Sequence, residues 1–171
     1  EVDSKAKDGG LKSQYVLGLA YKNGWCVKKS VITGAKWLRT GADAGFKHAQ
    51  NDLGLLLLAG QGEIKANPRL AARYLRMAAE NGVASSQSAL ANMLAEGKGV
   101  PQDILQAQTW YEKAAVQGHE GAIFKLGALY LKGSASKKGS DSKLDRAKAI
   151  EWFLFGAKRG SAANQYGVAT L

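Results

Sequence analysis

The sequence predicts an all-α fold, a right-handed α/α-solenoid built from helix-turn-helix repeats. Three observations carry the prediction: two marker series that recur at one period, helical spacing of apolar residues inside each period, and only 2 Pro in 171 residues. Proline removes a backbone donor and clashes with the preceding turn, so its scarcity favours helix. The 21 Gly then need an architectural explanation.

The first series is Gln14-Tyr-Val-Leu-Gly18, Gln50-Asn-Asp-Leu-Gly54, Gln87-Ser-Ala-Leu-Ala91 and Ile123-Phe-Lys-Leu-Gly127, whose small final residues recur at spacings of 36, 37 and 36. The second is Trp37-Leu38, Tyr74-Leu75, Trp110-Tyr111 and Trp152-Phe153, at spacings of 37, 36 and 42. Each is followed by a small pair (Gly41-Ala42, Ala78-Ala79, Ala114-Ala115, Gly156-Ala157) and then by Gly45, Gly82, Gly118 or Gly160. Two independent series sharing a period identify a repeat protein. One domain spans 1–171, with units at about 10–45, 46–82, 83–118 and 119–160 and partial units at 1–9 and 161–171. The six extra residues of the fourth unit fall in the polar run 133–144, which reads as a loop insertion. Both ends fall within a repeat and Glu1 is not Met, as expected of a processed protein or a fragment.

The third unit shows the element order. Ala89, Leu90, Met93 and Leu94 form one apolar stripe, and Trp110, Ala114 and Ala115 another, at helical spacing. Gly97 and Gly99 end the first helix, and Asp103 caps the second, with Asn67-Pro68 and Asp145 in equivalent places. Each unit is therefore two antiparallel helices of about 12–15 residues. Gly18, Gly54, Ala91 and Gly127 fall mid-helix, where Gly costs about 1 kcal/mol relative to Ala. Such a cost implies close approach by a neighbour, and the aromatic of the second helix is the expected filler.

Leu90-Ala91, Gly97-Lys98-Gly99-Val100, Asp103, Ala107, Trp110-Tyr111, Ala114-Ala115 and Gly118 together resemble the Sel1-like repeat, a relative of the tetratricopeptide repeat. The resemblance covers essentially the whole chain and rests on packing residues. The first unit departs from it, with Gly24-Trp25-Cys26-Val27 in place of Gly-x-Gly-Val and with Ser30 and Gly34 at the Asp and Ala positions, so its turn should be atypical. Cysteine-rich relatives staple each helix pair by a disulfide; a lone Cys26 places this chain outside that subgroup.

The resemblance also implies that first helices line a concave, partner-binding groove. The residues expected to face it are Tyr15, Leu19 and Lys22; Asn51, Leu55 and Leu58; Ser88, Asn92 and Glu96; Phe124, Leu131 and Lys132. Leu55 to Leu58 are apolar all round a helical turn, more than packing requires. Leu55 and Leu58 read either as a hydrophobic seat rimmed by Tyr15 and Phe124, or as surface covered by another segment or a second copy; the seat is the favoured reading.

The net charge of +10 points to an acidic partner. A basic loop is expected around Lys132, Lys137, Lys138, Lys143, Arg146 and Lys148. No nucleic-acid motif accompanies it, so a solvated loop or an acidic-protein contact is preferred. Arg69, Arg73 and Arg76 read as a solvated outer face. No catalytic site is expected: His48 and His119 read as turn histidines without a nucleophile beside them, and Trp25 suggests a partly buried Cys26 thiol. One Cys and two His do not close a structural zinc site, and no cofactor or metal is expected. The apolar run from Leu53 to Gly60 is too short to span a bilayer.

The expected function is a non-enzymatic protein–protein interaction module. Resemblance implies a bacterial adaptor exported to the periplasm, and the specific expectation is an immunity protein that inhibits a secreted effector. The alternatives are a scaffold for a cell-envelope complex and, less favoured, a hydrolase like the cysteine-rich relatives.

Overall fold

The structure, a computed structural model, describes residues 10–132 and 142–170. Among them run nine helices: α1 Leu11–Asn23, α2 Val31–Asp43, α3 Lys47–Ala59, α4 Pro68–Glu80, α5 Ala84–Glu96, α6 Ile104–Val116, α7 Glu120–Leu131, α8 Ser142–Lys158 and α9 Ala162–Ala169. The only extended pairing among the described residues is a single bridge between Gln61 and Ile64. No described helix is long and apolar enough to cross a membrane. The fold is the predicted all-α helical repeat.

The helices gather into two compact units, one running to Ser86 and including Lys98–Val100, the other formed by Gln87–Gly97 and everything from Pro101 onward. In the first, α1 packs on α2, α2 on α3 and α3 on α4; in the second, α6 packs on α7, α7 on α8 and α8 on α9. The first unit's core gathers Leu38, Ala42, Ala49, Leu53 and Tyr74, with Tyr15, Leu19, Phe46 and Leu57 packed against it. In the second, Leu90, Met93, Ile123, Leu126 and Phe153 are buried.

The recurring small pair and glycine form one device, a helix C-cap. Gly45, Gly82, Gly118 and Gly160 all take positive φ, between 81° and 91°. Each donates its N–H to the second member of the pair, and the next residue donates to the first: Gly45 to Ala42 and Phe46 to Gly41, Gly82 to Ala79 and Val83 to Ala78, Gly118 to Ala115 and His119 to Ala114, Gly160 to Ala157 and Ser161 to Gly156. This is the Schellman arrangement, which satisfies orphan carbonyls at a helix end and requires a left-handed residue. It turns the chain from each second helix into the next first helix.

The mid-helix small residues are notches, but the filler differs from the expected one. A Cβ at Gly18 would lie 3.0 Å from Leu38 Cγ, at Gly54 2.7 Å from Leu75 Cγ, and at Gly127 2.7 Å from Phe153 Cε1. The residue seated in each notch is therefore the one after the aromatic marker. The markers themselves lie one helical step round: Tyr74 and Trp110 are buried, while Trp37 and Trp152 are half-buried. Where the notch residue is Ala91 the equivalent position is Tyr111, whose hydroxyl donates to Asn92 Oδ1 at 2.6 Å.

Second helices begin with side-chain caps: Ser30 accepts from Thr33 N, Asn67 from Leu70 N and Asp103 from Gln106 N, at 3.2, 3.1 and 2.9 Å. Ser30 thus does the work of the expected acid. The fourth repeat departs from the expectation, because α8 starts at Ser142 and carries Asp145 inside its first turn, buried, instead of at the cap. A carboxylate there still faces the positive end of the helix dipole. The first repeat's turn is atypical as expected: Cys26 takes φ +56°, where the matching Gly62 and Gly99 take +58° and +75°. A side chain in that region costs about 1 kcal/mol.

Candidate functional site

Each of the two compact units opens a cleft lined in part by first helices. In the first unit a cleft of about 230 Å³ is lined by Lys22 of α1, by Asp52, Leu55, Leu56 and Ala59 of α3, and by Gly60 and Gln61. Asp52, Leu55, Leu56 and Ala59 follow i, i+3, i+4, i+7 spacing and so share one helix face. Leu56 is sunk in the core, whereas Leu55 remains 37% exposed and Leu58 is half-buried. The four leucines are therefore divided: Leu56 and Leu57 serve packing, and Leu55 presents apolar surface beside a lysine.

Tyr15 stands behind this cleft. Its hydroxyl donates to Asp52 Oδ2 at 2.8 Å, and its ring lies 5.2 Å from Phe46 and 6.3 Å from His48. Burial, then the hydrogen bond to Asp52 and its negative charge, push the Tyr15 hydroxyl up to about 12. Asn51 is also engaged, accepting from the Ser85 and Ser86 hydroxyls at 2.8 and 2.7 Å. Tyr15, Leu19 and Asn51 thus brace the first unit as well as bordering its surface.

In the second compact unit a cleft of about 400 Å³ is lined by Ala95 and Glu96 of α5, Ile104 and Tyr111 of α6, Phe124, Lys125, Ala128 and Leu129 of α7, and Lys132 at its C-cap. Its floor is apolar and aromatic, and its rim carries two lysines and one glutamate. Phe124 is held by the ring of Phe153, 5.7 Å away. The Tyr111 hydroxyl is pushed up to about 12 by burial and by the negative charge of Glu96.

Three of the residues expected to face partner, Glu96, Phe124 and Lys132, meet in this cleft; Lys22 and Leu55 meet in the other. Leu131 is exposed outside both. Ser88 corrects the expectation: it is buried, at 5% exposure. Its position is half-buried even where Tyr15, Asn51 or Phe124 occupy it, and a side chain as short as serine ends below that surface. Asn92 is committed to Tyr111. Of the basic loop, Lys137, Lys138 and the Lys143 side chain lie outside the described residues, and Arg146 is exposed.

Tyr111, Ile104, Lys125 and Leu129 were missed from the sequence. Phe124, Ala128 and Lys132 follow i, i+4, i+8, with Lys125 and Leu129 one step round the same helix, so widening the expected face by one residue would have found two of them. A separate apolar hollow joins Val116, Trp152, Phe155 and Glu151 on α6 and α8, with Val116 73% exposed.

The histidines have structural positions. His119 Nδ1 accepts the Ala122 N–H at 3.2 Å as the cap of α7, and exposed His48 packs edge-on against Phe46 at 5.5 Å. Cys26 and Trp25 are both exposed, which corrects the expected partly buried thiol; the left-handed turn leaves them outside the helix hairpin. Among the described residues no group of His, Cys, Asp and Glu is arranged to hold a metal ion.

The raised tyrosines make a pH prediction. The unfolded chain loses these protons near pH 10, while the fold retains them until about 12. Stability should therefore fall as pH rises from 10 to 12, because the unfolded state then binds fewer protons. Denaturant titrations across that range should show the decline, and it should be shallower in Tyr15→Phe and Tyr111→Phe.

Comparison with known proteins follows the same period. The family model for the Sel1 repeat matches residues 11–46, 47–83, 84–119 and 121–161. Chitin synthase regulatory factor 3 of Schizosaccharomyces pombe is 30% identical over 149 residues, 84% of this chain but only 15% of that protein. Among solved structures, the protective antigen c5321 of uropathogenic Escherichia coli, displaying an SLR fold, is 30% identical with TM-score 0.90 over 99% of this chain and 35% of its own. A Sel1 repeat protein from Oxalobacter formigenes is 28% identical with TM-score 0.84, over 94% of this chain and 63% of its own.

Proposed function

The chain belongs to the Sel1 repeat family, a family of protein-interaction modules, and from that premise we propose that it binds an acidic protein partner through the clefts of its first helices. The observation that carries this reading is the recurrence of one chemistry in two clefts, an apolar seat with lysine at its rim: Leu55 with Lys22, and Phe124 with Lys125 and Lys132. The net charge of +10 favours encounter with an acidic surface. In its specific form the proposal is a non-enzymatic immunity protein, exported to the periplasm, that blocks a secreted effector.

Capture with the full chain, followed by identification of what is bound, tests it. An acidic effector should be retained, and retention should be lost in Leu55→Asp and Phe124→Ala at unchanged helicity. Binding seated on apolar floors should weaken only modestly with salt. Normal retention by both variants would overturn the assignment, and an envelope assembly in place of an effector would favour a scaffold. Cell fractionation checks the periplasmic placement.

A further inference from the structure

We infer that the cleft of the second unit reads a local pattern in its partner: an apolar side chain flanked on both sides by carboxylates in an extended segment. This rests on the protein-binding reading above and specifies the occupant of one of its sites. The floor of Ile104, Phe124, Ala128 and Leu129 accepts one aliphatic side chain. Lys125 of α7 and Lys132, the residue that caps its C-terminus, are seven residues apart, about 10 Å along the helix axis, with Ala128 and Leu129 between them. Both are exposed, and neither makes an ion pair among the described residues.

An extended segment places residues i, i+2 and i+4 on one face, spanning about 13 Å. Flexible lysine stems cover the difference between that span and their own spacing. A central leucine then enters the floor while the outer carboxylates meet the two ammonium groups. Glu96, contributed to the same cleft by α5, repels a carboxylate displaced towards it, so the charges also fix how the segment lies.

The probe is the capped peptide Glu-Ser-Leu-Ser-Glu, titrated into the isotope-labelled full chain and followed by NMR. Amide shifts should concentrate on Phe124, Lys125, Ala128 and Lys132 and saturate at about millimolar peptide. Affinity should fall at least about tenfold in Lys125→Glu and Lys132→Glu, exposed positions that leave the fold intact, and stay unchanged in Lys158→Glu. Lys-Ser-Leu-Ser-Lys and Glu-Ser-Ser-Ser-Glu should both fail to bind. Equal binding of either control, or shifts centred elsewhere, would overturn the inference. If the acidic peptide fails while Leu55→Asp still releases the captured partner, this inference falls and the protein-binding reading stands.

Discussion

Phe153→Ala is expected to lower stability by about 3–5 kcal/mol and to loosen α7, α8 and α9 first. Phe153 is 2% exposed and fills two notches, since a Cβ at Gly127 or at Gly167 would each lie 2.7 Å from its ring. It also backs Phe124, the aromatic floor of the second cleft. Removing it leaves a cavity that glycines cannot close, because they have no side chain to move into it. In a repeat array each unit leans chiefly on its neighbours, so the loss should begin locally. Hydrogen exchange should show lost protection in α7, α8 and α9 while α1 to α4 keep theirs. A uniform loss along the chain would mean that the array unfolds as one cooperative body.

Gly34→Ala should destabilise by about 2 kcal/mol, although helix propensity alone predicts a gain of about 1. Gly34 lies within α2, and a Cβ there would stand 2.7 Å from both Gly18 O and Lys22 N. Those are backbone atoms of α1, so relief requires the two helices to move apart. At Gly18 the added Cβ would meet Leu38 Cγ and Cδ2 at 3.0 and 3.1 Å, and Leu38 N at 3.1 Å. A leucine side chain gives more readily than a helix axis, so Gly18→Ala should cost less. Thermal melts of the two variants settle the order, and a raised Tm for Gly34→Ala would show that propensity outweighs packing at this crossing.

The repeat, its helix pairs and its caps were legible because they rest on local rules. A glycine after a small pair marks a Schellman turn, and Ser30, Asn67 and Asp103 accept the N–H groups that their positions require. The identity of the notch filler was not legible, because whether Trp37 or Leu38 enters the Gly18 notch depends on how two helices are rotated against each other. The same rotation decides exposure. It sinks Ser88 and half-buries Leu58, while leaving Leu55 and Lys132 at the surface. Asp145 was misplaced as a cap because α8 has 17 residues where the other second helices have 13, so the period no longer locates its start. The first repeat shows the reverse case: Cys26 standing where the pattern has glycine marks an unusual turn, and Cys26 does take the left-handed conformation.

The candidate site was legible in part for the same reason. Lys22, Leu55, Glu96, Phe124 and Lys132 follow from the repeat phase, and they line the two clefts. Tyr111 stands in the sequence only as part of the second marker series, yet its ring walls the second cleft while its hydroxyl reaches back to Asn92. A side chain that both packs and presents surface has no separate signature in the sequence.

Photocrosslinking bears most directly on where the partner sits. With a benzophenone installed at Leu55, Lys132, Arg73 or Val116 in turn, irradiation of the captured complex should give partner adducts from Leu55 and Lys132 and none from Arg73 or Val116. Adducts confined to Arg73 and Val116 would place the partner on the second helices and contradict the account.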